Sequence, residues 1–565
     1  MSPFRIMTCA MIPCLVPNPV FAGDPPAPPP PLFENVTEAA GLEGVHASRV
    51  AFADLTGNGY PDAVIGYTQV HLNDRGRRLV RSRRDASLAP AGVRGPNVVQ
   101  FGDVNNDGAL DLYYGRNTDL ANPEFTDDGL RSEVWLGDGQ GGFRRRPDSG
   151  VGAHAETTVA ACFLDYDRDG SLDLFVGNAY VAYEQRYEAF PDRLYRGRGD
   201  GRFEEVTERA GLLGIAEPGH RDSRKPTYGV TSADWDNDGW PDLLVATYGR
   251  QWNRLWRNNG DGTFTDLAAE TTFDGDTDRS GTYPARVKRQ QERPYRSNGN
   301  TFDCAVADFD NDGDLDCFLA EITHWWAGSS SDLSSLLVNQ GPDAAYAFVR
   351  RPELIARPHT AEHWNQGDLH AGWLDVDNDG RLDLLIASSD YPDEQILRLY
   401  HQRSNGTFED WTGRLGFRWQ NASQLSLADF DRDGATDILL GTNTMRLTAG
   451  QRREHDPSVG LFRNLCPARA GNRFLNIRLA GRIAGARVIV TSGSHRQMRE
   501  VRCGLGHAGH HDDTDCRFGM GQAARADAVE VRWPDAAGTV QRFTDVQTDR
   551  FYRLRKGGEL EPVTP

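Results

Sequence analysis

Aspartates recur along this chain at fixed positions of a nine-residue loop, a spacing suited to holding a hard divalent cation. Five copies are complete: DYDRDGSLD (165–173), DWDNDGWPD (234–242), DFDNDGDLD (308–316), DVDNDGRLD (375–383) and DFDRDGATD (429–437). Two sparser copies precede them, DLTGNGYPD (54–62) and DVNNDGALD (103–111). Calcium takes about six to eight oxygen ligands, and carboxylates at alternating positions of a tight turn converge on one point. Positions one, three, five and nine supply them, the glycine at six tolerates the turn, and position seven can add its carbonyl. The expected ligands are Asp54 and Asp62; Asp103, Asn105, Asp107 and Asp111; Asp165, Asp167, Asp169 and Asp173; Asp234, Asp236, Asp238 and Asp242. The series continues with Asp308, Asp310, Asp312 and Asp316; Asp375, Asp377, Asp379 and Asp383; Asp429, Asp431, Asp433 and Asp437. One Asp-Gly loop would read as a solvated turn, but seven with one spacing point to about five to seven calcium ions. The first two loops, with Thr56, Asn58 and Asn105 at ligand positions, are the weakest sites.

The segments that position these loops are strands. Short apolar runs such as 304–307 upstream and 243–246 or 438–440 downstream rule out the helices of an EF-hand. A second signature follows each loop, as in GDGRFEEVTERAGL (199–212), GDGTFTDLAAE (260–270) and NGTFEDWTGRLGF (405–417), and reads as a hairpin turn plus a fourth strand. Each unit thus offers strands A to D, with the cation loop between A and B. Seven such units predict an all-β fold, a seven-bladed β-propeller. The last unit ends at 461–464 without strand D, while FENVTEAAGL (33–42) matches 203–212 and is expected to close the ring.

The repeated unit resembles the FG-GAP/VCBS repeat of integrin α-like propellers over 33–466. The tail segments GNRFLNIRLAG (471–481), AGARVIVTSG (484–493), REVRCGLGH (499–507), RFGMG (517–521) and AVEVRWPD (528–535) resemble the ASPIC/UnbV domain of the cartilage acidic protein family. Residues 467–560 also read independently as a small all-β module of about seven strands. Cys503, Cys516 and a His-rich loop stand where that family carries a Tyr-Leu-Ser type segment.

The net charge of −19 argues against a nucleic-acid partner, and the loop aspartates outnumber that excess. Residues 1–22 read as a signal peptide and 23–32 as a proline-rich spacer, so the mature chain is expected to be secreted, to the periplasm or beyond. No later run has the length of an integral membrane segment. Six cysteines remain after cleavage; Cys503–Cys516 is the favoured pair, while Cys304 and Cys317 are out of register if Cys304 lies opposite residue 320.

The Gly-x-Ser-x-Gly, His-Glu-x-x-His and phosphate-loop motifs are absent. Long connections on the face opposite the cation loops (178–193, 212–226, 267–300, 321–335, 343–369 and 444–458) are the expected binding surface. They include a candidate ligand patch of His324, Trp325, Trp326, His363 and Trp364, with His359 and His370 nearby, for which interblade packing is the plainer reading. His507, His510, His511 and Asp512 read as a flexible turn ahead of a zinc site, and Arg198-Gly199-Asp200 as a chance match to an adhesion tripeptide in a C–D turn. The leading function is an extracellular binding or adhesion protein for a protein or glycan ligand. The alternative is a calcium-dependent carbohydrate-active enzyme, a lyase or hydrolase, on the variable face.

Overall fold

The computed structural model describes residues 30–564, apart from 89–94, 117–126, 183–187, 216–223, 279–284, 286–298, 325–326, 328–330, 356, 358–366, 390–394, 445–446, 448–449 and 451–457. The signal segment therefore lies outside the described residues, as do Trp325, Trp326, His359, His363 and Trp364.

Between residues 33 and 464 the chain forms seven four-stranded antiparallel sheets. Their inner strands, blades one to seven, are Val50–Ala53, Val98–Gly102, Thr158–Leu164, Thr227–Ala233, Thr301–Ala307, Asp368–Leu374 and Ala422–Ala428. From blade two to blade seven each touches the next, blade seven returns to blade one, and blades one and two share a hydrophobic cluster. Val, Leu, Ala and Phe fill the spaces between sheets, so the core is a ring of interblade clusters.

The N-terminal strand Phe33–Asn35 pairs with Gly460–Asn464 and completes blade seven. Its likeness to 203–212 extends to hydrogen bonds: Ala40 N–H to Val36 O (2.7 Å) and Leu42 N–H to Thr37 O (2.9 Å) match Ala210 to Val206 (2.9 Å) and Leu212 to Thr207 (3.0 Å). Leu32, expected in the spacer, instead packs in the blade six and seven core, and its N–H reaches Arg414 O at 2.9 Å. Phe348–Arg351, placed by sequence in a variable connection, is strand D of blade five, paired with Ser335–Asn339.

Residues 473–563 form two more four-stranded sheets around their own core, eight strands against an expected seven. Arg473–Ala480 runs parallel to Arg550–Arg555 inside one of them. Ile489 and Met498 of this module enter the core of blades four and five, so the two parts share buried surface.

The six described cysteines are free and buried. Cys503 and Cys516 do not pair: the first lies against Phe163 of blade three and the second in the module core. Cys304 is opposite Leu319, one residue from the expected 320, because Ala307 rather than Asp308 faces Asp316.

Candidate metal centres and the plugged channel

In all seven loops the glycine at position six has positive φ, from +87° to +97°, and its N–H bonds the position-one carboxylate at 2.8–3.2 Å. Position four is left-handed as well (Gly57, Asn106, Arg168, Asn237, Asn311, Asn378, Arg432), a requirement the sequence reading missed although glycine and asparagine there signal it.

Position nine has a structural task besides any ligation. Each of Asp62, Asp111, Asp173, Asp242, Asp316, Asp383 and Asp437 is buried and accepts two backbone N–H groups, one from position two and one from strand C. Asp316, for example, takes Phe309 N–H (3.3 Å) and Asn339 N–H (2.8 Å). Burial pushes Asp62 and Asp111 up to about 7 and the other five well above the carboxylate range.

The loops differ in what remains unsatisfied. Asp165 Oδ1, Asp234 Oδ1, Asp308 Oδ2, Asp377 Oδ1 and Asp431 Oδ1 are buried without a hydrogen-bond partner, one in each complete loop. Positions one, three and nine of loops three, four and five gather as candidate cation ligands, and an all-oxygen set fits a hard ion. In loop one the cationic group is a side chain: Arg478 of the C-terminal module pairs with Asp54. Loop six adds a nitrogen, with His401 Nε2 3.4 Å from Asp377 Oδ2 and Nδ1 3.2 Å from Asp383 Oδ1. In loops three and four an arginine takes the corresponding place: Arg196 reaches Asp167 (2.6 Å) and Asp169 (2.8 Å), and Arg257 reaches Asp236 (2.5 Å) and Asp238 (2.7 Å).

The C-terminal module covers this loop face. Arg487 bonds Asp234 O and Asn237, Asn472 bonds Asp377 O (2.8 Å), and Gly521 N–H bonds Asn378 O (2.8 Å). Between its strands His495–Glu500 and Cys516–Gly521, residues 501–515 enter the centre of the propeller. Phe163 N–H meets Cys503 O (2.8 Å), Ala508 N–H meets Val159 O (3.0 Å), Gln100 Nε2 donates to His510 O (3.2 Å) and Ser426 Oγ to His511 O (2.5 Å). The His-rich turn is thus a buried plug, not a flexible surface loop, because polar residues of the inner strands satisfy its backbone.

A shared distortion lines the channel. In blades three to seven strand pairing slips near the third inner residue, which is Ala160, Gly229, Asp303, His370 or Gln424. His370 therefore belongs to the channel and not to an exposed patch. Asp303 N-terminal to its alanine-rich run is completely enclosed; His510 Nδ1 is 3.7 Å and His370 Nδ1 3.6 Å from its Oδ2. Flanking carboxylates raise His510 against its desolvation to about 10, while burial lowers His370 to about 4. Arg49 extends Nη1 to His370 Nε2 (3.2 Å) and Nη2 to His507 Nε2 (3.4 Å), and His507 Nδ1 lies 2.7 Å from Tyr228 O. His507 ends the plug among Tyr228, Tyr248 and Phe302.

Of the expected ligand patch only His324 is described; it is half-buried, and its N–H bonds Ser331 Oγ at 2.8 Å. Arg198-Gly199-Asp200 does lie in a C–D turn, where Arg198 pairs with Glu204 (3.2 Å) and Asp200 with Arg202 (2.8 Å).

These features define a propeller built of FG-GAP-like repeats: that family model matches residues 180–245, 234–319 and 375–440. The C-terminal module is an ASPIC and UnbV domain, matched over 481–561. No curated protein matches the chain. Among solved structures it is similar to the Photorhabdus luminescens Tc holotoxin pore carrying the mutation TccC3-D651A (13% identity, TM-score 0.30), covering 82% of this chain and only 21% of that one. It is also similar to the exotype rhamnogalacturonan lyase YesX (12% identity, TM-score 0.33, 88% and 81% covered) and to the Dos1 propeller (10%, 0.32, 72% and 76%). At these scores the likenesses add nothing to the topology above. No described helix is long and apolar enough to cross a membrane.

Proposed function

We propose that this chain is an extracellular, calcium-stabilised binding protein whose protein or glycan partner engages the propeller face opposite the aspartate loops. The observation that carries the reading is the position of the C-terminal module. It sits on the loop face through Arg478, Arg487 and Asn472, which leaves the long connections of the other face to meet a partner. The loops then serve the scaffold: calcium would bind the complete ones and satisfy the buried oxygens of Asp165, Asp234, Asp308, Asp377 and Asp431. Export fits both the amino-terminal segment and the FG-GAP-like repeats.

The test is an array of glycans and extracellular proteins probed with the full chain, with calcium and after chelation. Calcium-dependent retention of a discrete ligand, released unchanged, is the expected outcome. New reducing or unsaturated ends on a polysaccharide would replace the binding reading by a carbohydrate-active enzyme.

A further inference from the structure

We propose that Asp303, His370 and His510 form a binding site for one divalent transition ion of the zinc or iron(II) class, which fastens the C-terminal plug to blades five and six. The three come from separate parts of the chain: the inner strand of blade five, the inner strand of blade six and the plug. They are 1%, 0% and 1% exposed, and their candidate ligand atoms lie within 4.8 Å of one another.

Geometry favours an ion over direct hydrogen bonds. The two imidazole Nδ1 atoms lie 3.6 and 3.7 Å from Asp303 Oδ2, beyond hydrogen-bond range. Ligands at about 2.0–2.2 Å from a tetrahedral zinc stand roughly 3.4 Å apart, close to these separations. Both Nδ1 atoms and Asp303 Oδ1 are buried without a partner. Two imidazoles and one carboxylate form a donor set for zinc or iron(II), and differ from the all-oxygen loops that suit calcium.

The surroundings supply what such a site needs. Asp512 Oδ1, fixed by Leu427 N–H at 2.8 Å, lies 3.3 Å from His510 Nε2 and can hold that proton, leaving Nδ1 for the ion. Gly506 brings the plug backbone against the carboxylate: a Cβ there would be 1.7 Å from Asp303 Oδ1. An ion on His370 Nδ1 keeps the proton on Nε2, so Arg49 must release that nitrogen and retain His507 alone.

The test uses the full chain, stripped of metal, refilled with excess calcium to occupy the loops, and titrated with zinc or cobalt(II). One equivalent should survive dialysis, cobalt should give the strong visible band of a four- or five-coordinate site, and zinc X-ray absorption should show imidazole scattering. His510→Gln and His370→Gln should each abolish the equivalent, and Asp512→Asn should weaken it about tenfold. His401→Gln, which alters loop six, should leave it intact. Retention of no transition ion by the wild-type chain overturns the proposal, leaving an ionic lock of His510 between two aspartates. An all-oxygen shell overturns it too, whether or not the variants fold, as does full retention by His510→Gln.

Discussion

Arg478 of the C-terminal module pairs with Asp54, the first carboxylate of the first loop, and also with Asp513 and Asp515 at the end of the plug segment. One guanidinium thus joins the loop face, the module and the channel. In this loop, with only two of the four carboxylates, an arginine side chain faces the position-one carboxylate.

Arg478→Met leaves three carboxylates without their shared partner. Loss of one member of a buried ion pair costs about 3–5 kcal/mol. Denaturant unfolding should show a loss of that order, with the module released first; a change below about 0.5 kcal/mol contradicts the assignment.

Chelating calcium should lower the melting temperature, and two aspartates of loop five should separate ligation from framework. Asp312→Asn removes a candidate ligand and should reduce only the calcium-dependent part of stability. Asp316→Asn replaces one of the two oxygens that accept the Phe309 and Asn339 N–H groups by a donor, and should cost about 1–3 kcal/mol with or without calcium.

Asp192 offers a test of pH dependence away from the aspartate loops. It accepts Asn178 N–H (2.9 Å) and the Thr227 hydroxyl (2.7 Å), joining blade three to blade four, with Arg254 and Glu156 nearby. Burial raises its carboxyl from 3.8 to about 7, so the folded state holds the proton more tightly and this contribution to stability falls as pH rises between those values. Melting curves from pH 4 to 7 should show the decline in the wild type reduced in Asp192→Asn; identical slopes would refute it.

Gly506→Ala places a methyl group against Asp303 at a position of φ +49°. Limited proteolysis and hydrogen exchange should then find residues 501–515 opened while the blades stay protected. Unchanged protection of that segment would count against the tight seat.

The blades and the geometry of the aspartate loops were legible because a repeat states the same requirement seven times: apolar strand, acidic turn, apolar strand. The channel was not. Gln100, Thr231, Asp303, His370, Gln424 and Ser426 are polar residues scattered among the apolar ones of the inner strands, and each is unremarkable alone. Together they were the available signal for a polar lining. His507 and His510 carry the composition of a solvated turn, and only the ring assembled between residues 33 and 464 buries them. The Cys304 register failed by one position for a local reason, the pairing of Ala307 with Asp316.

The short strand Phe33–Asn35 sets the order in which the molecule can be finished. Its partner Gly460–Asn464 is made last among the blades, so the first strand waits through synthesis of almost the entire propeller. Closing so long a loop is slow, and until it happens the final sheet presents an open edge. A nascent chain halted before residue 460 should therefore be a ready client for chaperones, and tension on its finished amino terminus should peel away one strand before disturbing any other blade.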